Sequence, residues 1–180
     1  EIFGEGLRLP PVRIQIAGVP NRDVEDILFT NVRTPEERRG DLRAQMAANL
    51  RGVIRLQELA RKHGVDGLLK IMAQVLDYSE QMMRRALSAL PDGTATFEDI
   101  CDGDGILEPG QTTDATFKIV MRVTKTGDQL VVDFTGTDPR VPGPMNAPLN
   151  VTASGVYTSI KMVADPKDHI PPNSGCWRPV

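Results

Sequence analysis

Asp133 is the residue whose type and setting first suggest chemistry. It lies in Leu130-Val-Val-Asp-Phe-Thr-Gly-Thr, where Val131, Val132 and Phe134 favour extended backbone. The run stops at Thr135-Gly136-Thr137-Asp138-Pro139, because glycine and proline favour turns that a sheet ladder cannot continue. Such a strand delivers a carboxylate and the Thr135 hydroxyl to a polar loop at a sheet end, a common place for binding and catalytic sites. A strand that closes in a polar turn for structural reasons alone has the same sequence, so both readings stand on these residues.

Other reactive side chains are set less suggestively. His63, followed by Gly64 and preceded by Arg61 and Lys62, reads as a helix end whose charges complement the negative pole of the helix dipole. No second histidine stands at helical spacing from it, as a zinc pair would require. The run Asp99-Ile-Cys-Asp-Gly-Asp-Gly resembles a calcium loop. With Gly105 as the required glycine, however, Ile100 takes the first ligand place and Gln111 the last, where carboxylates are needed; an acidic surface turn is expected instead. Cys101 and Cys176 match neither a zinc spacing nor a disulfide framework and read as ordinary thiols of a reducing compartment. No P-loop, nucleophile elbow or internal repeat is present.

The elements that must position these residues follow from periodicity. Leu7 to Ala17 is expected to be extended with one buried face, since Leu9-Pro10-Pro11 bars a helix and Val12, Ile14 and Ile16 alternate with Arg13 and Gln15. Asn21 caps a short helix through Asn31. Thr34-Pro35-Glu36-Glu37 predicts a capping box and a helix to about Lys62, with Leu42, Met46, Leu50, Val53, Ile54, Leu56 and Leu59 along a stripe. A second helix from Val65 to about Leu90 follows so closely that the two should fold back as an antiparallel hairpin. Its Met72, Met82 and Met83 are expected to fill a core. Strands are predicted at 94–100, 113–124 and 129–134, the last two joined by a hairpin turn at Lys125-Thr-Gly-Asp128. A further helix over Val151–Ala164 has Val156, Ile160 and Val163 inward and stops at Asp165-Pro166, and His169 to Gly175 must be a loop. The polar loops at 135–150 and 169–175 are expected to cluster.

The fold class is therefore α+β: a long antiparallel helix hairpin, then a mainly antiparallel sheet and a further helix. Residues 1–33 form an extended lead-in and short helix, 34–91 the hairpin, and 92–180 the β-rich part. A chain of 180 residues with 40% hydrophobic and 25% charged residues can bury a core without disulfide or metal staples. A net charge of -3 and aromatic residues at 4% give neither a basic field nor a base-stacking platform, so nucleic acid is not an expected partner. No run approaches a membrane span and none reads as a signal peptide; a cytoplasmic protein is expected. The start at Glu1 and the stop at Trp177-Arg-Pro-Val suggest a piece of a longer polypeptide.

Five separated stretches, in order, carry a family resemblance: Glu5-Gly-Leu-Arg-Leu-Pro-Pro-Val, Gly40-Asp-Leu-Arg-Ala-Gln-Met-Ala-Ala, Val132-Asp-Phe-Thr-Gly-Thr, Gly143-Pro-Met-Asn and Pro172-Asn-Ser-Gly. Together they resemble the hydantoinase B / 5-oxoprolinase family over essentially the whole chain. The resemblance implies a segment of a B-type subunit in an ATP-dependent cyclic-amide hydrolase. The related implication is a subunit of an ATP-dependent ketone carboxylase of the acetone or acetophenone type, and a non-catalytic assembly piece is the contrasting one. It implies ATP on a hydantoinase A-type partner, and a divalent metal in the full-length protein whose ligands lie outside this segment, so no metal ligand is assigned here. Of the matching positions, Asp133 and Thr135 are the catalytic candidates, while Asp41, Gln45 and Asn146 are the substrate-binding ones. Asp41 and Gln45 stand one helical turn apart, where a carboxylate and an amide can converge on a ligand or on each other.

Overall fold

The computed structural model describes residues 7–107, 109–110 and 112–180. Glu5 and Gly6 of the first family stretch, and the Gln111 ligand place of the calcium-like loop, lie outside the described residues. The chain divides into two compact units between Leu68 and Leu69. No helix among the described residues is long and apolar enough to cross a membrane.

In the first unit the expected strand over 7–17 shrinks to β1 (Gln15–Ile16), paired antiparallel with β2 (Val19–Pro20). Ala17 and Gly18, with φ of 50° and 82°, make the two-residue turn between them. So short a ribbon builds no buried face, and Val12, Ile16 and Val19 are exposed. Helix α1 (Arg22–Thr30) follows. Its N-terminal Asn21 does not cap it by side chain; the amide donates instead to the Arg13 carbonyl at 3.2 Å and fastens the hairpin. Phe29, the buried residue of α1, lies under the Arg39 guanidinium, 4.2 Å from the ring centroid.

Helix α2 (Pro35–His63) starts and stops where its sequence signals stand, with Pro35 in the first turn and Gly64 at φ 74° beyond the end. The expected capping box does not form: Thr34, at ψ 70°, falls short of the extended backbone that aims a hydroxyl at the first amides. Within the chain no residue of α2 is buried, and Leu50, Val53 and Leu56 of the apolar stripe stay exposed. Helix α3 (Val65–Ser88) crosses the boundary between the units, so the pairing of the two helices remains a proposal.

The second unit holds the core. Ser79, Met83 and Leu87 are the buried face of α3, and Met83 and Leu87 join Leu130, Ile170 and Cys176 in one apolar cluster. Strands β3 (Gly93–Cys101), β4 (Phe117–Thr126) and β5 (Gln129–Asp133) form an antiparallel sheet in the order β3-β4-β5. The predicted strand over 113–124 starts later, at Phe117, because Asp114 is drawn into a loop where its carboxylate accepts the Gly105 amide at 2.6 Å. The buried Lys125 ammonium joins the helix to the sheet, donating to the Leu90 carbonyl at 2.6 Å and to Asp92 at 2.7 Å. Helix α4 (Leu149–Ala164) ends at Asp165 as predicted; Val156 and Ile160 are half-buried, but Val163, expected inward, is 65% exposed.

The C-terminal segment is a string of turns packed on α3. The Asn173 amide donates to Ser79 Oγ at 2.7 Å, and Arg178 reaches Asp77 and Glu80 at 2.9 Å. Gly175 passes so close to the helix that a Cβ on it would lie 2.0 Å from the Leu76 carbonyl oxygen. The loop over 169–175 is thus held by α3 through Asn173 and by Asp165, whose carboxylate accepts the amides of His169 and Ile170; among the described residues no hydrogen bond joins it to the loop over 135–150.

Candidate active site

Antiparallel pairing puts the end of β3, the start of β4 and the end of β5 at one margin of the sheet, with Cys101 opposite Phe117 and Asp133 opposite Arg122. Two polar loops leave that margin, residues 102–116 and 134–148. Each is held by carboxylates that accept backbone amides, which is the residue chemistry of a fixed rather than a wandering loop.

Asp133 is half-buried, on the sheet face opposite the one formed by Leu130 and Val132, since side chains alternate along a strand. Its Oδ1 accepts the Thr135 hydroxyl at 2.6 Å and the Thr135 amide at 2.9 Å. Those two bonds, with the positive charge of Arg122 across the ladder, hold the carboxyl below its usual range. The group is an ionised acceptor at neutral pH, and the two catalytic candidates are one hydrogen-bonded pair.

Beyond them the chain returns to β4 by side-chain mimicry of a ladder. The Thr137 hydroxyl accepts the Val120 amide and donates to the Val120 carbonyl, both at 3.0 Å. The next residue, Asp138, accepts the Lys118 amide at 2.6 Å, while its own amide donates to the Lys118 carbonyl at 2.9 Å. Thr137 and Asp138 therefore fix where Asp133 and Thr135 point.

Asn146 closes the next bend. Its Oδ1 accepts the Val141 amide at 3.0 Å, and its Nδ2 donates to the carbonyls of Val141 and Gly143 at 2.7 and 2.9 Å. Both amide protons are engaged by the loop, so any ligand would meet the bend that Asn146 shapes before it met Asn146 itself. Asp104, which by sequence belongs to an acidic surface turn, is 8% exposed and accepts the Gly143 amide at 2.6 Å and the Ile106 amide at 3.0 Å. A Cβ on Gly143 would sit 2.2 Å from the Asp104 carbonyl oxygen, so the close approach of the two loops needs glycine there. The sequence signal is present in two glycine-flanked stretches, Asp102-Gly-Asp-Gly and Pro142-Gly-Pro, but nothing local tells that they meet.

Asp41 and Gln45 belong to the other unit. Asp41 pairs with Arg38 at 2.7 Å and Gln45 is exposed; the two share a face of α2 without bonding each other.

Among the described residues no group of three or more His, Cys, Asp or Glu side chains stands where it could hold a metal ion. Asp104 has both oxygens committed to amides, and Asp114 brings one buried oxygen, Oδ1, that accepts nothing. These residues do not fit a metal centre. What the arrangement can do is hold an ionised carboxylate, a hydroxyl and two glycine-rich bends in fixed relation at a sheet end.

The family model described as hydantoinase B/oxoprolinase matches residues 1–180. The B subunit of a putative D-/L-hydantoinase from Pseudomonas sp. (strain NS671) is 35% identical over 185 residues, covering 100% of this chain and 31% of that protein. The beta subunit of the caprolactamase from Pseudomonas jessenii is 34% identical over 180 residues, covering 99% of this chain and 29% of its own length. The crystal structure of the ATP-dependent caprolactamase from Pseudomonas jessenii matches with a TM-score of 0.76 at 32% identity, over 100% of this chain and 30% of that one. The chain thus spans under a third of the length of these relatives.

Proposed function

The chain belongs to the hydantoinase B/oxoprolinase family, and from that premise we propose that it is a segment of the B-type subunit of an ATP-dependent cyclic-amide hydrolase. The observation that carries the proposal is the likeness to an ATP-dependent caprolactamase over the entire chain, at a TM-score of 0.76. An A-type partner holds ATP and supplies the activation, and the B-type component receives the cyclic amide. The divalent metal of the complete protein takes its ligands from residues outside this segment. The cytoplasm, where ATP is held and thiols stay reduced, suits the free Cys101 and Cys176.

A lactam carbonyl is a poor electrophile, so opening the ring requires activation of the carbonyl and an oriented water. Asp133 has the properties of the orienting group. Its charge is stabilised by Thr135 and Arg122, which makes it a strong acceptor and a weak base, and Thr137 keeps it from turning away. The bends at Gly136 and Gly143 seat the loop against Val120 and Asp104 and so hold its place beside Asp133. Asp41 and Gln45 contribute a second polar patch for substrate.

The test is a panel of reactions on the native complex: a hydantoin, 5-oxoproline and caprolactam, each with ATP, against acetone or acetophenone with ATP and bicarbonate. Ring opening of a cyclic amide is the expected result. Carboxylation of the ketone with no amide opened would replace the proposal with the carboxylase reading.

A further inference from the structure

Strand β5 has β4 on one side, and on the other it presents an edge that is occupied at a single point. In its two-residue hairpin Thr126 and Gln129 close the ladder, so Gln129, Val131 and Asp133 turn their peptide groups toward β4, while Leu130 and Val132 turn theirs outward. The Leu130 amide donates outward to the Pro179 carbonyl at 2.9 Å, and the outward amide and carbonyl of Val132 bond nothing among the described residues.

That one bond sets a direction. Pro179 has no N–H to return, so the two residues are not a reciprocal antiparallel pair. Residues before Pro179 are spent in turns, with Cys176 and Arg178 donating to the carbonyls three residues back, and just beyond it the Val180 amide still donates to the Trp177 carbonyl, on the side away from β5. A strand in register with the Leu130–Pro179 bond therefore runs parallel to β5, and two residues beyond Pro179 it reaches the Leu130 carbonyl and the Val132 amide.

Beside the same edge lies a cavity of about 320 Å³ between the sheet and α4, lined chiefly by apolar groups including Met121, Val132, Phe134, Val151, Val156 and Ile160. An edge with unpaired peptide groups next to an unfilled apolar hollow is what natural sheets cover, because both invite non-specific pairing.

We propose that the β5 edge is an interaction surface completed by a parallel strand of the same polypeptide, formed by residues outside these 180 and carrying alternate apolar side chains over the hollow. Relatives of about three times this length supply such residues: the chain covers 31% of the hydantoinase relative. A second copy fits less well. Two β5 edges meeting about a twofold axis would run antiparallel and would need the Leu130 amide, which Pro179 already holds. The proposal does not depend on which reaction the complex performs.

Hydrogen exchange resolved to single amides, on the native polypeptide purified from the cells that make it, tests this. Val132 should exchange at least about 100-fold more slowly than an exposed amide, comparable with its ladder-bonded neighbour Val131, and independently of protein concentration. Val132 exchanging as an exposed amide while Val131 is protected would overturn the proposal. Protection that disappears on dilution would overturn it too, since it would assign the edge to a second chain.

Discussion

A carboxylate that accepts the Thr135 hydroxyl and amide while facing Arg122 keeps its charge well into acid, which makes Asp133 a fixed negative acceptor at the end of β5. Asp133→Asn retains an oxygen for Thr135 and removes the charge. In the native complex it should leave the melting temperature nearly unchanged and lower kcat by roughly 100-fold with a smaller effect on KM, as loss of one positioned polar group does. Unchanged turnover would remove Asp133 from the mechanism. Gly175 illustrates a different residue-scale constraint, because its place is set by contact with the Leu76 carbonyl. Gly175→Ala should cost about 3 kcal/mol in denaturant unfolding, the upper part of the range for overpacking. The placement of Asp133 at a strand end and of Thr135 in the turn after it was legible from local sequence. Asp104, Thr137 and Gly175 were not, since their partners Gly143, Val120 and Leu76 are remote in sequence and no local pattern encodes such meetings.

At the scale of elements, the long periodic segments were legible and their ends were only partly so. Helices α2 and α4 and the β4–β5 hairpin stand close to where spacing puts them, because runs of that length outvote local preferences. The cap residues Asn21 and Thr34 sit at the right places but make no side-chain caps, and the strand expected over 7–17 yields to the turn at Ala17-Gly18. The turn after α4 shows how a loop can be ordered by one carboxyl. Asp165 is buried, which pushes its pKa up, but the Lys161 ammonium and the amides of Ile170 and His169 more than offset this and bring it down to about 2 from 3.8. A depressed carboxyl contributes stability that is complete above the unfolded value and is lost as pH falls through the folded one. Thermal unfolding should therefore lose this contribution between pH 3.8 and about 2. Asp165→Asn should lower the melting temperature at pH 7 and flatten the decline over that acid window; an identical acid slope in the variant would assign the decline to other groups.

At the scale of the molecule, two compact units carry the candidate residues, Asp41 and Gln45 in one and Asp133, Thr135 and Asn146 in the other. The exposed apolar stripe of α2 and the open edge of β5 are features of a segment whose relatives are some three times longer. The central claim is that this segment contributes framework and polar contacts to an ATP-coupled amide hydrolase without being a complete catalyst. It is tested most directly by measuring ATP consumed against amide bonds opened, for the native complex and for the 180-residue chain alone, on whichever cyclic amide the complex accepts. The account predicts that ring opening by the complex requires ATP and consumes it in fixed proportion, and that the chain alone opens nothing. Ring opening by the isolated chain without ATP would contradict it.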